Sequence, residues 1–283
     1  MPVDLTTSPI PFGSPLIALD IDGTIVHHDG YLSDRVANAI TALADSQATV
    51  MIATGRSVVS TLPVLRELGL IRRGLYAVCS NGAVTVALDP DTEEGYRLHR
   101  VVTFDPGPAV ALLKSMLPDA IIAVEDIGVG FKVNKLFPEP DLYERQEVVT
   151  EEELVAQPVP RVTFRDLSSQ LVDFAAFIDD IGLHGVNYAV GFSSWLDLSP
   201  EGVSKASGLE AVRQELGIDI EHTVAVGDQR NDIEMLGWAA RGVAMGQAPP
   251  EVVAVADEVT AKVEHDGLAL VLEDVASALP KVA

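Results

Sequence analysis

Two aspartates, Asp20 and Asp22, stand one residue apart just after the apolar run at residues 16–19. Such a run suits a buried parallel strand, and open α/β sheets bind ligands at the carboxyl ends of their strands. Because side chains alternate along a strand, both carboxylates would leave the sheet on the same side if the backbone stayed extended as far as Asp22. Two such carboxylates repel each other unless a cation lies between them, and Gly23 permits a sharp turn. The pattern indicates a Mg²⁺-dependent phosphoryl-transfer site with an aspartate nucleophile.

Three other strand or helix ends carry polar groups that suit the same site. Thr54 and Gly55 follow a predicted strand, and a hydroxyl beside a small residue allows backbone amides to approach a phosphate. Lys205 opens a predicted helix, and residues 227–232 follow another apolar strand with the sequence Gly-Asp-Gln-Arg-Asn-Asp. Parallel strands that end at one edge of a sheet would bring all of these groups together.

Alternating strand and helix patterns predict the framework behind these residues. Helices are expected from Ser33 or Asp34, from Ser57 and from Ser204, where short polar side chains can cap them. The predicted strands lie near residues 16–20, 49–53, 75–79, 223–226 and 242–245. This alternation is typical of α/β proteins with a doubly wound, mainly parallel sheet and right-handed crossovers.

The pattern changes in the middle of the chain. Residues 83–103 alternate like antiparallel strands around an acidic turn. Further strands are predicted near 120–125, 128–134, 160–165, 186–190 and 194–198, with helices near 107–117 and 168–181. We therefore predict an α/β core formed by residues 1–83 and 196–283, interrupted by an α+β domain of residues 84–195.

Composition narrows the choice of partners. The 283 residues include 19 Lys and Arg against 42 Asp and Glu, so the net charge is −23. This charge repels nucleic acid and anionic membranes, and we expect neither as a partner. The single cysteine, Cys79, excludes an internal disulfide. The first residues lack the features of a secretory signal and no apolar stretch is long enough to span a bilayer, so we expect a cytoplasmic protein.

Taken together, these motifs resemble the haloacid dehalogenase superfamily, and specifically its Cof-like, type IIB phosphatases. The similarity includes four signature motifs in the family's order and extends over almost the whole chain. Its segments are Asp20-Ile21-Asp22-Gly23-Thr24, Ala53-Thr54-Gly55-Arg56, Ser80-Asn81-Gly82-Ala83, Lys205, Gly227-Asp228 with Asn231-Asp232, and Gly242-Val243-Ala244-Met245-Gly246. The pair Gln229-Arg230 departs from the family pattern, which often has a small residue followed by a polar one.

The resemblance implies a role for each matching carboxylate. Asp20 would be the nucleophile that becomes an aspartyl phosphate, and Asp22 would protonate the leaving oxygen and later activate water. The cofactor would be Mg²⁺, held by Asp20, the backbone carbonyl of Asp22 and Asp228. Asp232 would orient Lys205 or a metal-bound water.

The resemblance also implies how the phosphoryl group is held. Its ligands would be Thr54, the backbone amides around Ile21 and Gly55, Lys205 and Asn231. Arg56 is a weaker candidate for the site, because the segment 54–56 could equally be an ordinary helix start.

Motif spacing locates the inserted domain. Thr54 follows Asp20 by only 34 residues, whereas Lys205 follows Thr54 by 151 residues, so the insertion resembles a C2-type cap. The aspartate at position 22 fits phosphatases and phosphomutases of the superfamily. The expected function is hydrolysis of small phosphomonoesters, with sugar phosphates or similar metabolites as the substrate class.

Two other functions stay open on the sequence. One is a phosphomutase of the same superfamily, and the other is a receiver-like phospho-acceptor domain, which also combines acidic residues, a threonine and a lysine on a doubly wound sheet. The sequence leaves the oligomeric state and the exact substrate open. Substrate specificity is expected in the cap, where the motifs are weakest.

Several single residues have an ordinary structural interpretation. His27 and His28 are expected in an exposed loop, and Trp195 and Trp238 in the core or at a domain junction. Four cap cations could grip a leaving group, although a solubilising surface charge is the expected role of each one: Lys132, Lys135, Arg161 and Arg165.

Overall fold

A computed structural model of the chain describes residues 14–138, 142, 144–166, 186–190 and 195–279. Two β-sheets organise this part of the chain. The strands are β1 (Leu16–Leu19), β2 (Thr49–Ala53), β3 (Tyr76–Cys79), β4 (Val84–Leu88), β5 (Tyr96–Val101), β6 (Ile121–Asp126), β7 (Gly130–Val133), β8 (Gln146–Val148), β9 (Val162–Arg165), β10 (Val186–Val190), β11 (Trp195–Pro200), β12 (Thr223–Gly227), β13 (Arg241–Ala244) and β14 (Glu258–Val259). The helices are α1 (Asp34–Ala44), α2 (Val58–Glu67), α3 (Gly107–Met116), α4 (Glu151–Leu154), α5 (Lys205–Glu215), α6 (Ile233–Trp238), α7 (Pro250–Val253) and α8 (Gly267–Ala278).

The first sheet has eight strands in the order β14-β13-β12-β1-β2-β3-β4-β5. The strands from β14 to β3 are parallel, whereas β4 and β5 extend the sheet as an antiparallel pair. Because β1 pairs with β2 on one side and β12 on the other, the chain reverses its winding direction at β1. The predicted α/β fold with a doubly wound, mainly parallel sheet is confirmed, and β1 lies at the switch point where such sheets bind ligands.

The side chains of β1 are apolar on both faces of the sheet. Ile17 and Leu19 pack into an apolar cluster with α1, α2 and α8. Leu16 and Ala18 point to the opposite face and pack with α5 and α6. A strand that is apolar on both faces therefore has helices on both faces, as a parallel sheet requires.

Short polar side chains begin the helices that lead into the candidate site. The hydroxyls of Ser33, Ser57 and Ser204 accept hydrogen bonds from the first turns of α1, α2 and α5. Each serine has an extended backbone, as an N-cap residue should. The predicted starts of these three helices are confirmed.

The second sheet has the order β10-β11-β9-β6-β7-β8, and its pairs are antiparallel except β7 with β8. One face is covered by α3 and α4, which bury Ile122, Val124 and Phe164 in a separate apolar cluster. This α+β composition agrees with the inserted cap predicted from the sequence.

Membership of the two sheets differs from the predicted division at residues 84 and 196. Residues 84–101 lie in the first sheet, because β4 pairs with β3 and the β4–β5 hairpin widens that sheet. At the other end, β11 continues the second sheet as far as Pro200. The antiparallel strands predicted within residues 83–103 are confirmed, but a hairpin can extend a parallel sheet as readily as it can begin a new one.

Two further predictions concern a helix in the cap and the absence of a membrane span. The predicted helix near 168–181 lies outside them. Within them, no helix is both long and apolar enough to cross a membrane.

Candidate active site

The centre of the candidate site is a buried lysine between two carboxylates. Lys205 Nζ donates hydrogen bonds to Asp20 Oδ1 and to Asp232 Oδ1, each over 2.6 Å. The Lys205 side chain is 0% exposed, and both aspartates are buried as well. The structure therefore brings together the ends of β1, β12 and α5, as the motif pattern predicted.

Close packing around Gly82 brings Lys205 to this position. Gly82 follows β3 with φ at +100°, and a Cβ on it would lie 2.0 Å from the carbonyl oxygen of Ser204. Only glycine allows this approach without displacing the backbone. Since Ser204 caps α5, the first residue of that helix, Lys205, extends toward the end of β1.

Burial and like charges act together on the carboxylates. Burial raises the pKa of Asp20 well above its usual range, Lys205 opposes this effect, and the charges of Asp232, Asp22 and Asp228 add to it. Burial and the charge of Asp232 also raise the pKa of Asp228 to about 6. Burial alone would lower the pKa of Lys205, but Asp20 and Asp232 raise it, so the lysine stays charged. One ammonium group does not compensate these carboxylates, and a further cation would.

Asp228 offers the atom that such a cation needs. Its Oδ2 accepts hydrogen bonds from Gln229 Nε2 at 3.0 Å and Gln247 Nε2 at 3.3 Å. Its Oδ1 is buried and has no hydrogen-bond partner among the described residues. Gly23 lies against this carboxylate with φ at +81°, and a Cβ there would come within 2.3 Å of Asp228 Oδ2. An unpartnered carboxylate oxygen in a crowded acidic group fits a hard divalent cation with oxygen ligands.

The acidic group overlaps with the predicted metal ligands but is not identical to them. Carboxylate oxygens of Asp20, Asp228 and Asp232 all lie within 4.8 Å of one another. Asp232 already uses both oxygens, since Oδ1 accepts from Lys205 and Oδ2 accepts from the backbone amides of Asp228 and Gln229, each at 2.9 Å. This geometry suits the orienting role that the family resemblance implied for Asp232, and leaves Asp20 and Asp228 as the carboxylates with capacity for a metal.

Asp22 has a different environment from Asp20. The Arg56 guanidinium forms a bidentate pair with it, with Nε to Oδ2 at 2.9 Å and Nη2 to Oδ1 at 2.6 Å. The Asp22 side chain is 54% exposed, whereas Asp20 is 4% exposed. The backbone does not stay extended as far as Asp22, so the two carboxylates need not leave the sheet on the same side. Instead β1 ends at Leu19 and the chain turns, and the Ile21 carbonyl accepts hydrogen bonds from three later amides. Arg56 is thereby placed at the mouth of the site.

Phosphate-binding candidates line the neighbouring strand ends. The Thr54 hydroxyl accepts from the backbone amide of Arg56 at 3.1 Å, which fixes the turn after β2. Asn231 Nδ2 donates to Asn81 Oδ1 at 3.0 Å, and a Cβ on Gly55 would lie 3.2 Å from the same oxygen. Thr54, Gly55 and Asn231 are therefore near one another.

Comparison with known proteins identifies the family of this chain. The model of the haloacid dehalogenase-like hydrolase family matches residues 17–272, which is most of the chain. The chain belongs to this family.

Relatives along the full length of the chain support the assignment. The Bacillus subtilis protein YkrA, named as a candidate phosphatase, is 30% identical over 92% of this chain and 97% of its own length. The B. subtilis 5-amino-6-(5-phospho-D-ribitylamino)uracil phosphatase YitU is 26% identical over 92% and 96%. The solved structure of BT4131, described as a subclass IIB sugar phosphatase, superposes with a TM-score of 0.76 at 24% identity, over 92% of this chain and 98% of that one. The predicted resemblance and the prediction of a hydrolytic enzyme are confirmed.

Two residues of this hydrolase have contacts in the site that the sequence did not predict: Asn81, which the sequence analysis named only as part of a motif, and Gln247, which it did not name. Asn81 adopts a left-handed backbone with φ at +51° and contacts Asn231. Gln247 donates to the Gly23 carbonyl at 2.5 Å as well as to Asp228, and so connects the first turn to the fourth motif. Each residue follows a core strand at its carboxyl end, and that position was the signal by which they could have been found.

The two residues that depart from the family pattern, Gln229 and Arg230, have different contacts. Gln229 supports Asp228 through the hydrogen bond above. Arg230 instead forms an ion pair with Glu251 on α7. Of the two histidines, His28 is exposed as predicted, yet it lies close enough to lower the pKa of Asp228. His27 is partly buried and contacts the ring of Tyr31.

The cap cations differ from one another in environment. Lys135 is exposed, and Lys132 and Arg165 are partly buried. The expectation of a surface charge is wrong for Arg161, which is only 6% exposed and donates from Nη1 to the Gly55 carbonyl at 2.5 Å. Trp238 packs against the core and donates to Glu210, as a core residue should, whereas the side chain of Trp195 is outside the described part of the structure.

Replacing Asp228 with asparagine is expected to stabilise the metal-free protein and to remove its response to Mg²⁺. Because the pKa of Asp228 is raised to about 6, its ionisation is less favourable in the folded protein than in the unfolded chain. The carboxylate present at pH 8 therefore lowers the stability of the metal-free protein. Thermal unfolding at pH 8 with EDTA should show a gain on the order of 1–2 kcal/mol for Asp228→Asn. Added Mg²⁺ should raise the Tm of the wild type but not of the variant.

The exposed Asp119 supplies the control, because Asp119→Asn removes the same charge from the loop between α3 and β6. An Mg²⁺-dependent increase in Tm for Asp228→Asn equal to that of the wild type would show that Asp228 is not a ligand.

Proposed function

We propose that this hydrolase is a Mg²⁺-dependent phosphatase that cleaves small phosphomonoesters through an aspartyl phosphate on Asp20. The observation that carries the proposal is the buried Lys205 bridge to Asp20, with the unpartnered Asp228 oxygen in the same acidic group. A carboxylate nucleophile needs a cationic environment to accept an anionic substrate. The rest of the chain is strongly acidic, so local cations must supply it.

In the first proposed step, Asp20 attacks the phosphorus atom. A bond forms between the carboxylate oxygen and phosphorus, and the bond from phosphorus to the leaving oxygen breaks. Protonated Asp22 gives its proton to that oxygen, which leaves as an alcohol. Lys205 holds Asp20 in place and compensates charge on the phosphoryl group.

In the second proposed step, water takes the place of the leaving alcohol. The Asp22 carboxylate removes a proton from the water, and the resulting hydroxide attacks phosphorus. The acyl phosphate bond breaks, inorganic phosphate leaves and the Asp20 carboxylate is restored. Asp22 is two residues from Asp20 and half-exposed, so it can serve either the alcohol or the water at the mouth of the site once Arg56 releases one of its two oxygens.

We propose that Asp20, Asp228 and the backbone carbonyl of Asp22 hold the Mg²⁺ ion, with the remaining ligands from water and substrate. When bound, the ion offsets the repulsion between carboxylates and phosphate and polarises the phosphoryl group. Thr54, Gly55, Lys205, Asn231 and the amide of Ile21 would hold the phosphoryl oxygens.

For the substrate class we propose sugar phosphates or similar phosphorylated metabolites, acted on in the cytoplasm. The names of relatives support a small polyol or heterocyclic leaving group, since one acts on a phosphoribityl compound and a structural neighbour is a sugar phosphatase. The cap contacts the turn that follows β2, which favours small esters over macromolecules.

The proposed function is tested by measuring phosphate release from a panel of phosphorylated metabolites and from an aryl phosphate. Release should require Mg²⁺ and stop with EDTA. A mutase would instead return labelled phosphate to a second hydroxyl of the substrate, so tracing the label distinguishes the two reactions. An enzyme with full activity in EDTA would contradict the metal-dependent mechanism.

The role of Asp22 predicts a dependence on the leaving group. An aryl oxide leaves without protonation, whereas an alkoxide requires a proton from the acid. In single-turnover experiments, Asp22→Asn should slow release of the alcohol about 10²–10⁴-fold for an alkyl phosphate and much less for a nitrophenyl phosphate. Equal loss for both esters would contradict the assignment of Asp22 as the acid.

A further inference from the structure

A pair of buried opposite charges lies where the second sheet meets the first. Glu125 is near the end of β6 and Arg161 directly precedes β9, and Arg161 Nε lies 3.1 Å from Glu125 Oε2. Their exposures are 3% and 6%. The guanidinium also lies 5.1 Å from the centre of the Phe131 ring. Removing two charges from water is costly, and a buried pair persists only where further hydrogen bonds satisfy both groups.

The further hydrogen bonds come from the loops of the first sheet. Arg161 Nη1 donates to the Gly55 carbonyl, in the turn after β2. Ser80 Oγ donates to Glu125, at 2.9 Å from one carboxylate oxygen and 2.7 Å from the other. Ser80 follows β3 and has φ at +51°, a conformation that non-glycine residues keep only when their surroundings hold them in it.

Both loops belong to the proposed phosphate site. Gly55 lies between Thr54 and Arg56, and Ser80 directly precedes Asn81, which contacts Asn231. The two loops also contact each other, because the amide of Ser80 donates to the Arg56 carbonyl and the amide of Asn81 to the Thr54 carbonyl. The ion pair of the second sheet therefore contacts both the loop after β2 and the loop after β3.

We propose that Arg161 and Glu125 are positioning residues, which hold the loops after β2 and β3 in their phosphate-binding arrangement while the second sheet is docked against the first. This inference rests on the proposed function, because it concerns the phosphate site of that reaction. Its consequence is that docking of the cap and binding of the phosphoryl group stabilise each other.

The alternative for Arg161 is direct contact with the leaving group of the substrate. In the structure its Nε lies 3.1 Å from Glu125 Oε2 and its Nη1 donates to the Gly55 carbonyl, so the guanidinium already has partners in the cap and in the loop after β2. The two roles differ in their effect on specificity. A positioning residue should affect all esters by the same factor, whereas a ligand of the leaving group should affect some esters far more than others.

The test compares Ser80→Ala and Arg161→Lys with the wild type. Ser80→Ala removes only the hydroxyl that contacts Glu125. Arg161→Lys keeps the positive charge but loses the planar guanidinium, which can donate to two partners at once. The matched control is Arg145→Lys, which alters an exposed arginine whose Nη2 lies 3.8 Å from Glu147 Oε2. Calorimetry would measure the Kd of inorganic phosphate with Mg²⁺, and mass spectrometry would follow amide hydrogen exchange, each well below the Tm of every variant.

We expect phosphate affinity to fall about tenfold in both variants and to stay at the wild-type value in the control. Amide exchange at residues 54–57 should increase in Ser80→Ala as well, although that substitution touches only the loop after β3. In kinetics, KM should rise by a similar factor for every ester, with a smaller change in kcat. Unchanged phosphate affinity and unchanged exchange at 54–57, together with a lower Tm, would show a purely structural pair and overturn the proposal.

The binding measurements separate this inference from the proposed function. A wild type that binds phosphate and hydrolyses no ester would contradict the function, while the affinities of the variants would still decide the role of the pair. A wild type that binds no phosphate would overturn both.

Discussion

Replacing Asp20 with asparagine is expected to abolish turnover, with kcat lowered at least about 10⁴-fold for every phosphate ester. The amide cannot form the acyl phosphate, so the reaction loses its covalent route. Asparagine keeps the shape of the side chain and an oxygen that can accept the hydrogen bond from Lys205 Nζ, now 2.6 Å long. The loss should therefore appear in steady-state rates of phosphate release without a matching loss of folded protein.

The control for this substitution is Asp119→Asn, which changes an exposed aspartate. Its kcat should equal that of the wild type. Circular dichroism and the Tm would confirm that Asp20→Asn is folded. Residual activity of more than a few per cent in Asp20→Asn would contradict its role as the nucleophile.

Replacing Lys205 with methionine should cost both stability and activity. The lysine is completely buried between Asp20 and Asp232, and its removal leaves two carboxylates in the interior without their counter-charge. Breaking a buried pair by removing one partner costs about 3–5 kcal/mol, and we expect a loss of that order in the free energy of unfolding. Denaturant unfolding at neutral pH would measure it.

Two further variants define the cause of that loss. Lys135→Met removes an exposed lysine and should change stability by less than about 0.5 kcal/mol. The double substitution Lys205→Met with Asp232→Asn should recover part of the lost stability, because one uncompensated charge is removed, but it should not recover activity. If Lys205→Met alone were as stable and active as the wild type, the bridge would have no part in the site.

Much of the first sheet and the centre of the site could be predicted from the sequence, because both follow from local patterns. Apolar runs of four or five residues, separated by serine-capped helices, predict parallel strands and show which polar residues follow each strand. Asp20 and Asp228 each follow such a strand, and Lys205 opens a serine-capped helix. The topology of a doubly wound sheet then brings them together, whatever their separation along the chain.

The remaining features depend on contacts between distant segments. The hairpin at 84–101 belongs to the first sheet because β4 pairs with β3. Alternation of apolar and polar residues cannot show whether a hairpin extends an existing sheet or begins a new one. Arg161 resembles a surface cation in the sequence. In the fold it is buried because it meets the Glu125 carboxylate and the Gly55 carbonyl, and Ser80 in turn donates to Glu125. The exposure of Asp22 depends on a turn that ends β1 one residue before Asp20.

The most direct test of the account is identification of the residue that carries the phosphoryl group. Asp22→Asn should form the acyl phosphate from an aryl phosphate and then hydrolyse it slowly, because the base for the second step is missing. Acid quenching with Mg²⁺ present, reduction with borohydride and peptide mapping should reveal homoserine at position 20. Aspartate at position 20 after stoichiometric release of the aryl alcohol, or reduction at another residue, would contradict the account.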